Sequence, residues 1–551
     1  MSVSPPRSRS HVSIPFAKSR DRSTFTAYLA LIVLFILGSS CSQSVVRAAD
    51  PQADPSAAGL RDAITTITSQ SRYAQSTWGY SVMDLTTGEV LLAEADEKMF
   101  VPGSILKAYS TATVLNAYTH EYRFRTPVYR TGPIDQGVLD GHLILVATGD
   151  FSFGLRDRPD DTLAFNSAPE IDHNYADTGL PGPAILKDSD PLAALDELAA
   201  QVRAAGIRAI KGDVIIDDRL FETFREWPDG IISPIWINEN VLDITLRTTA
   251  SGRVAIDWRP KTAAYKVEAG KLKVVSKDAQ TVLKTRLVEP GTVEISGQIA
   301  AGEKPLLQIW QIPNPADFAR TAFIEALRRA EVTVGASTTG RNPVRLLPSA
   351  TAYSEESKVA EHVSPPLAEF TKVIMKVSYN RGADLMLCLV AVKAGSRNCL
   401  AGIAEVTKTL VELGVPIEST FLFDGAGSDE RDRTTPAAMT AFLRAVSGES
   451  YGETFRQGLP ILGVDGTLAM NQQDSPAAGH VFAKTGSRIA GTPNDRVLIT
   501  GLTHVGYIDA KSGRRLVHAV MLRDVPLASI EDLSATEDDL GAIEAIIQQG
   551  F

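Results

Sequence analysis

Phe100-Val101-Pro102-Gly103-Ser104-Ile105-Leu106-Lys107 predicts a turn that leads into a helix, because Pro and Gly precede a run of helix-compatible residues. On that helix Ser104 and Lys107 lie on one face, one turn apart. A lysine with a depressed pKa can take the proton of a serine hydroxyl and so make it a nucleophile. Free backbone N–H groups at the helix start can meet an oxyanion. The alternative is a Ser cap followed by a solvated Lys, but this SxxK spacing occurs at no other lysine of the chain.

A second polar pair, Ser378-Tyr379-Asn380, follows a helical pattern over residues 365–377. Its hydroxyl can relay a proton, and its amide can orient a substrate. The alternative is a helix cap or a turn. Ser396-Arg397-Asn398 has the same spacing, but it lies in a polar loop, whereas Ser378 lies between two apolar helical patterns. Position in the chain therefore favours Ser378 and Asn380.

A third motif, Lys484-Thr485-Gly486-Ser487, continues the apolar run that starts at Val481, which predicts a strand. Gly486 would let a substrate backbone approach closely. A strand of this kind can bind a peptide along its edge, with Lys484 supplying positive charge for a carboxylate. The alternative is a strand that ends in a polar turn.

Composition limits the classes of function. A chain of 551 residues predicts two to four domains. The first 48 residues carry six basic residues and one acidic residue, which leaves a net charge of −15 for the remainder. A chain this acidic is a poor candidate for binding nucleic acid. Its eight histidines are scattered, without HExxH or CxxC, so neither a metal site nor a cofactor is expected.

The N-terminus has the pattern of an export signal over residues 1–48. A basic flank precedes the apolar run at residues 27–37, and small residues follow at 46–48. We therefore expect a periplasmic or otherwise exported protein. The alternatives are an uncleaved membrane anchor and lipidation at Cys41. After cleavage Cys388 and Cys399 remain, either as a disulfide or as buried free thiols.

The order of patterns along the chain predicts an interrupted domain. A hairpin near residues 78–93 precedes the serine helix, and short strands with Gly-Asp and Asp-Gly turns fill residues 131–347. Within that region residues 151–190 are polar and rich in Pro and Gly, which indicates an exposed excursion. We predict one domain from residues 50–130 and 348–551, with a β-rich insertion at 131–347.

The motifs SxxK, SxN and KTG, in this order, are the signature of penicillin-binding proteins and serine β-lactamases. The chain resembles class C low-molecular-mass penicillin-binding proteins, the serine D-alanyl-D-alanine carboxypeptidase/endopeptidases. The similarity runs from about Trp78 to the C-terminus and includes Gly149-Asp150, residues 424–427 and residues 463–468. The long insertion disfavours class A β-lactamases. The resemblance implies an α/β fold, with a β-lactamase/transpeptidase-like domain interrupted by nested β-rich inserted domains.

The resemblance also implies roles for the motif residues. Ser104 would attack the carbonyl of a D-Ala-D-Ala bond, Lys107 would take its proton, and Ser378 would help to protonate the leaving amine. Water would then hydrolyse the acyl-enzyme. By the same resemblance, Asn380 would hold the substrate amide, and Lys484 with Thr485 would bind the terminal carboxylate. The backbone N–H groups of Ser104 and Ser487 would form the oxyanion hole.

Three points bear on substrate choice. Asp150 at a strand end could meet the amino group of a diamino acid, and the alternative is an Asx turn. Gly103 stands where the family usually has Ala, which we expect to be harmless. Residues 488–496 are longer and more polar than in the family. Expected partners are peptidoglycan stem peptides and β-lactams, and the rival functions are an inactive peptidoglycan-binding module and an esterase or β-lactamase.

Overall fold

The computed structural model describes residues 57–178, 183–225, 230–302, 304–492, 496–528 and 531–551. The expected signal peptide at residues 1–48 lies outside these residues. Within them, no helix combines the length and the apolar character needed to cross a membrane.

A six-stranded antiparallel sheet forms the centre of the fold, in the order β19-β20-β21-β1-β2, with β22 paired to β20. β20 and β21 are buried along almost their whole length, because helices cover both faces of the sheet. The predicted hairpin is β1 with β2. The strands are β1 Thr77–Asp84, β2 Val90–Glu94, β19 Val481–Gly491, β20 Val497–Asp509, β21 Arg515–Arg523 and β22 Val525–Leu527.

One face of this sheet is covered by the two terminal helices, α1 Ala57–Thr68 and α10 Glu531–Gly550. The α10 side chains Leu540, Ile543 and Ile547 are buried in the same cluster as the strand residues. Their spacing of three and four places them on one face of the helix.

A layer of helices covers the opposite face. Tyr109 of the serine helix meets Phe442 edge to face, with ring centroids 4.7 Å apart, and Met521 of β21 lies in the same cluster. Cys388 and Cys399 form a buried disulfide in this layer, which decides the choice left open by the sequence. The helices of the layer are α2 Lys107–Tyr118, α5 Leu367–Lys376, α6 Asn380–Lys393, α7 Ala401–Glu412, α8 Pro436–Ser447 and α9 Gly452–Gly458.

A four-stranded sheet in the order β10-β6-β3-β18 begins the inserted part. Here β3 and β18 pair antiparallel, with Thr126 opposite His362, so the chain leaves and returns side by side. The helices α3 Ala193–Ala204 and α4 Pro315–Arg329 share the hydrophobic core of this sheet. Its strands are β3 Arg123–Arg130, β6 Leu143–Val146, β10 Val214–Asp217 and β18 Lys358–Pro366.

Four smaller sheets make up the rest of the insertion as far as its residues are described, in the orders β12-β11-β16, β13-β15-β14, β17-β9-β5-β4 and β7-β8. Their strands are β4 Ile134–Asp135, β5 Val138–Leu139, β7 Ile171–Asp172, β8 Pro183–Ala184, β9 Ala209–Ile210, β11 Val241–Thr248, β12 Val254–Arg259, β13 Lys266–Val275, β14 Val282–Glu289, β15 Thr292–Ala300, β16 Leu306–Gln311 and β17 Thr333–Val334. The domain limits at 131 and 347 stay a prediction, since the four-stranded sheet takes strands from both sides of them.

Candidate active site

A short 3-10 turn, Gly103–Leu106, presents Ser104 at the start of α2. Lys107, the first residue of α2, is fully buried, and its Nζ is hydrogen-bonded to Ser104 Oγ at 2.7 Å. The same Nζ donates to the carbonyl oxygen of Ala426 at 2.9 Å. Ser104 itself is only partly buried. The turn therefore places the serine oxygen between a buried amine and the open cleft.

Gly103, expected to be a harmless replacement for the Ala that is usual in the family, gives this turn its shape. Its φ is +54°, a region that L side chains rarely adopt. A Cβ at Gly103 would lie 2.8 Å from the backbone nitrogen of Ser487. The turn and the KTG strand β19 thus approach more closely than an alanine allows.

Gly486 makes the same close approach from the opposite side. A Cβ there would lie 2.4 Å from the carbonyl oxygen of Pro102 and 2.5 Å from Oγ1 of Thr503. That hydroxyl also donates to the Pro102 carbonyl at 2.7 Å. The Cβ direction of Gly486 thus points into the serine turn, so close packing inside the protein accounts for the glycine without any substrate.

A second serine–lysine pair lies beside the first. Lys484 Nζ donates to Ser378 Oγ at 2.9 Å and to the carbonyl oxygen of Thr485 at 2.7 Å. Both paired side chains are buried. Burial lowers the pKa of Lys484 well below its usual value, and the nearby charge of Lys107 lowers that pKa further. A lysine in this state can exchange a proton with the serine beside it.

The loop that carries Ser378 separates α5 from α6. Ser378 has φ +59°, in the left-handed region, and Asn380 is the first residue of α6. The Asn380 amide lies 3.4 Å from Oγ of Ser428. Ser396 and Asn398, which share the SxN spacing, lie in an exposed turn instead. There the backbone N–H of Asn398 donates to Ser396 Oγ at 3.1 Å.

Residues 424–429, whose motif carried no predicted role, form one wall of the site. The Asp424 carboxylate accepts backbone N–H groups from four residues at 2.6 to 3.0 Å, and this folds the loop around it. The loop brings the Ala426 carbonyl to Lys107 and the Ser428 hydroxyl to Asn380. The sequence signal was present, since an Asp before a Gly-rich run predicts an Asx turn. The donors are Ala426, Gly427, Ser428 and Asp429.

The KTG strand β19 lies at the edge of the central sheet. Thr485 is partly buried, with its Oγ1 2.9 Å from Oγ1 of Thr467, and Ser487 is exposed. An edge strand keeps one side of its backbone available for a further strand. The structure thus brings Ser104, Lys107, Ser378, Asn380 and the residues of this strand to one cleft.

Asp150 does not join them. Its Oδ1 accepts the N–H groups of Ser152 and Phe153 at 2.9 and 2.8 Å, which is the Asx turn that the sequence offered as the alternative. The side chain is buried, and its Oδ2 lies 3.9 Å from Nε2 of His362 on β18. Burial, with the charge of Asp157, raises the pKa of Asp150 to about 7. The predicted contact of Asp150 with substrate is therefore corrected to a structural role.

One group of side chains in the insertion has the composition of a metal site. Ligand atoms of Asp172, His173 and Glu239 lie within 4.8 Å of one another. However, Arg156 donates to both carboxylates, at 2.7 Å to Asp172 and 2.5 Å to Glu239. Because a guanidinium already neutralises these acids, the residues do not suit a divalent cation.

The central sheet, with the serine turn and the two serine–lysine pairs beside its edge strand, defines a penicillin-interacting serine enzyme of the acyl-transfer class. Residues 60–545 match the D-Ala-D-Ala carboxypeptidase 3 (S13) family, so the chain belongs to that family of class C low-molecular-mass penicillin-binding proteins. The chain is thus a serine-type D-Ala-D-Ala carboxypeptidase, and the family assignment confirms the predicted function.

Curated relatives and solved structures agree with this assignment. The D-alanyl-D-alanine carboxypeptidase of Actinomadura sp. (strain R39) is 25% identical over 453 residues, which cover 78% of this chain and 76% of that protein. The D-alanyl-D-alanine carboxypeptidase DacB of Haemophilus influenzae is 22% identical over 432 residues, covering 74% and 79%.

A crystal structure of penicillin binding protein 4 (dacB) from Haemophilus influenzae in complex with a β-lactam is also similar. It superposes with a TM-score of 0.63 at 19% identity, over 88% of this chain and 97% of that one. The likeness confirms the predicted fold class.

Proposed function

We propose that Ser104 is the nucleophile and Lys107 its base in the hydrolysis of D-Ala-D-Ala bonds. The observation that carries this is the 2.7 Å hydrogen bond between a half-buried hydroxyl and a buried amine at a helix start. In acylation the hydroxyl proton passes to Lys107 Nζ while Ser104 Oγ bonds to the carbonyl carbon. The negative oxygen of the tetrahedral intermediate then lies near the N–H groups of Ser104 and Ser487.

The second pair completes the transfer. As the C–N bond breaks, the leaving amine takes a proton from Ser378 Oγ, Ser378 regains one from Lys484 at 2.9 Å, and the proton that Lys107 accepted restores Lys484. Free D-alanine departs and the penultimate residue stays on Ser104 as an ester. Water then attacks the ester carbonyl and gives its proton to Lys107. As the bond from the carbonyl carbon to Ser104 Oγ breaks, Lys107 returns that proton to Ser104, and the acid product leaves.

Substrate binding falls to Asn380 and to the edge strand β19. Asn380 holds the substrate amide, and a stem peptide lies along β19 as an added strand. Thr485 and Lys484 bind the terminal carboxylate, beside the backbone of Gly486 and Ser487. Support comes from the edge position of β19 and from the short distances that join it to the serine turn.

The substrates are then peptidoglycan stem peptides, including D-Ala-diamino acid cross-links, which would make the enzyme an endopeptidase as well. β-Lactams, which mimic the D-Ala-D-Ala terminus, acylate the same serine. A protein acting on the cell wall is exported, and the pattern at residues 1–48 supports periplasmic or extracellular localisation.

Penicillin labelling tests the proposal. The opened β-lactam keeps its amine tethered, so it cannot leave to admit water, and mass spectrometry should find a lasting adduct on the peptide that contains Ser104. The enzyme should also release D-alanine from a pentapeptide, and Ser104→Ala should lose both activities while staying folded.

Other results would point elsewhere. An adduct on another serine overturns the site assignment. Rapid turnover of penicillin would favour the β-lactamase or esterase function, while neither adduct nor D-alanine would favour a binding module.

A further inference from the structure

The excursion at residues 151–190 touches the catalytic loops at two points. The hydroxyl of Tyr175 donates to the backbone carbonyl of Ser378. The hydroxyl of Ser167 accepts the backbone N–H of Gly466 at 2.9 Å, and the next residue, Thr467, contacts Thr485. The excursion is therefore part of the active-site wall, and not the exposed segment that its composition predicted.

The Tyr175 contact falls on a backbone unit that needs support. Ser378 has φ +59°, in the left-handed region that a non-glycine residue rarely adopts. The peptide unit between Ser378 and Tyr379 is held at both ends, since the Tyr379 N–H donates to the Ile374 carbonyl at 3.0 Å. With Tyr175 on the carbonyl side, the plane of this peptide is fixed, and so is the direction of the Ser378 side chain.

Tyr175 in turn lies next to a buried set of ion pairs. Asp172 and His173 precede it by three and two residues, and both side chains have no exposed surface. Asp172 pairs with Arg156 at 2.7 Å, and His173 lies 3.2 Å from Glu239. A paired, fully buried network of this kind holds the backbone that bears it in one arrangement.

The network also reaches the second motif directly. Arg381 on α6 donates to the backbone carbonyl of Glu239 at 2.8 Å, one residue after Asn380. The guanidinium of Arg156 lies 5.9 Å from the ring centroid of Tyr379. Two hydrogen bonds, from Tyr175 to Ser378 and from Arg381 to Glu239, thus join the insertion to the chain on both sides of Tyr379.

We propose that Tyr175 is a positioning residue for the acyl-transfer reaction, and that it acts by holding the Ser378 carbonyl so that Ser378 Oγ stays aimed at Lys484. The inference rests on the proposed role of Ser378 as the proton relay. It assigns part of the inserted region to catalysis, through one hydroxyl that does not itself touch the substrate.

Tyr175→Phe removes only that hydroxyl. We expect kcat for D-alanine release to fall about 10-fold, with KM changed less than about 2-fold and an unfolding temperature similar to that of the matched control. The matched control is Tyr118→Phe, which removes a hydroxyl that donates to the backbone carbonyl of Leu389 at 2.8 Å and should leave kcat unchanged. A kcat that stays at the wild-type value in Tyr175→Phe would overturn the proposal.

A double-mutant cycle separates positioning from general stability. In a Ser378→Ala background, Tyr175→Phe should cause no further loss, because the group that Tyr175 orients is gone. A full additional 10-fold loss there would show that Tyr175 acts by another route and would overturn the inference. If Ser378→Ala alone kept the wild-type kcat, Ser378 would not be the proton relay, and the proposal for Tyr175 would fall with it. That result differs from one in which Ser378→Ala lowers kcat and Tyr175→Phe does not.

Discussion

The two serine–lysine pairs of the cleft have similar lengths, 2.7 Å for Ser104 with Lys107 and 2.9 Å for Ser378 with Lys484, but different origins. The residues of the first pair are three positions apart in one helical turn. The second joins residues 106 positions apart, one from a loop between helices and one from a sheet strand. A local pair is built by backbone geometry, whereas a distant pair exists only after the sheet and helices have packed.

Their nearness couples the two amines. The charge of Lys107 is one of the two causes that lower the pKa of Lys484, so protonation of one lysine opposes protonation of the other. We infer that one pair handles the attacking proton while the other handles the leaving group. Four substitutions test this division, in order of decreasing effect.

The largest effect is expected for Lys107→Arg. A guanidinium keeps the positive charge but does not deprotonate in proteins, so the base of the first pair is lost. Acylation by benzylpenicillin, followed by stopped-flow or by mass spectrometry, should slow by about 10³-fold. Lys372→Arg is the control, because that lysine on α5 pairs with Glu369 at 2.5 Å outside the cleft. Acylation within about 10-fold of wild type in Lys107→Arg would contradict the role.

Ser378→Ala should cost less, because Ser104 and Lys107 still form the nucleophile. We expect kcat for D-alanine release to fall by about 10²-fold, since the leaving amine loses its proton donor. Ser396→Ala is the matched control, taken from the exposed turn that shares the SxN spacing. Equal losses in the two variants would remove Ser378 from the chemistry.

Gly103→Ala tests the close contact between the first pair and the strand that carries Lys484. Strain at φ +54° and the 2.8 Å approach to the Ser487 nitrogen should lower the free energy of unfolding by about 1–3 kcal/mol. Gly206→Ala is the control, because φ is +88° there and nothing lies within 4 Å of the added Cβ. If both variants lose the same stability, strain alone explains the effect and the steric contact does not matter.

The smallest effect is a gain in stability. Lys484→Met removes an amine whose charge is disfavoured by burial, so the unfolding temperature should rise by roughly 2 °C or more, while D-alanine release is lost. The folded-state pKa lies below the unfolded value of 10.5, so the unfolded chain binds more protons. The gain should therefore be absent above pH 10.5 and grow as the pH falls towards the folded-state pKa. A gain independent of pH, measured by calorimetry, would show that burial of charge is not its source.

The local parts of the fold and site could be predicted from sequence. The hairpin β1–β2, the helix after Ser104 and the strand around Lys484 each follow from periodicity and turn residues over about ten positions. The rejection of Ser396 also needed only its polar surroundings. What the structure corrected were inferences about surroundings, namely an exposed excursion and a substrate contact for Asp150.

Sequence by itself determined the pairing of Ser104 with Lys107, because a three-residue helical spacing places an amine beside the Ser104 hydroxyl. The order of the three motifs was likewise sufficient to identify the family. Only the tertiary structure decided that Tyr175 holds Ser378, that Asp150 closes an Asx turn, and that Gly103 meets the strand of Ser487. Such contacts depend on the distance between segments far apart in the chain, and that distance is set by the packing of the whole core.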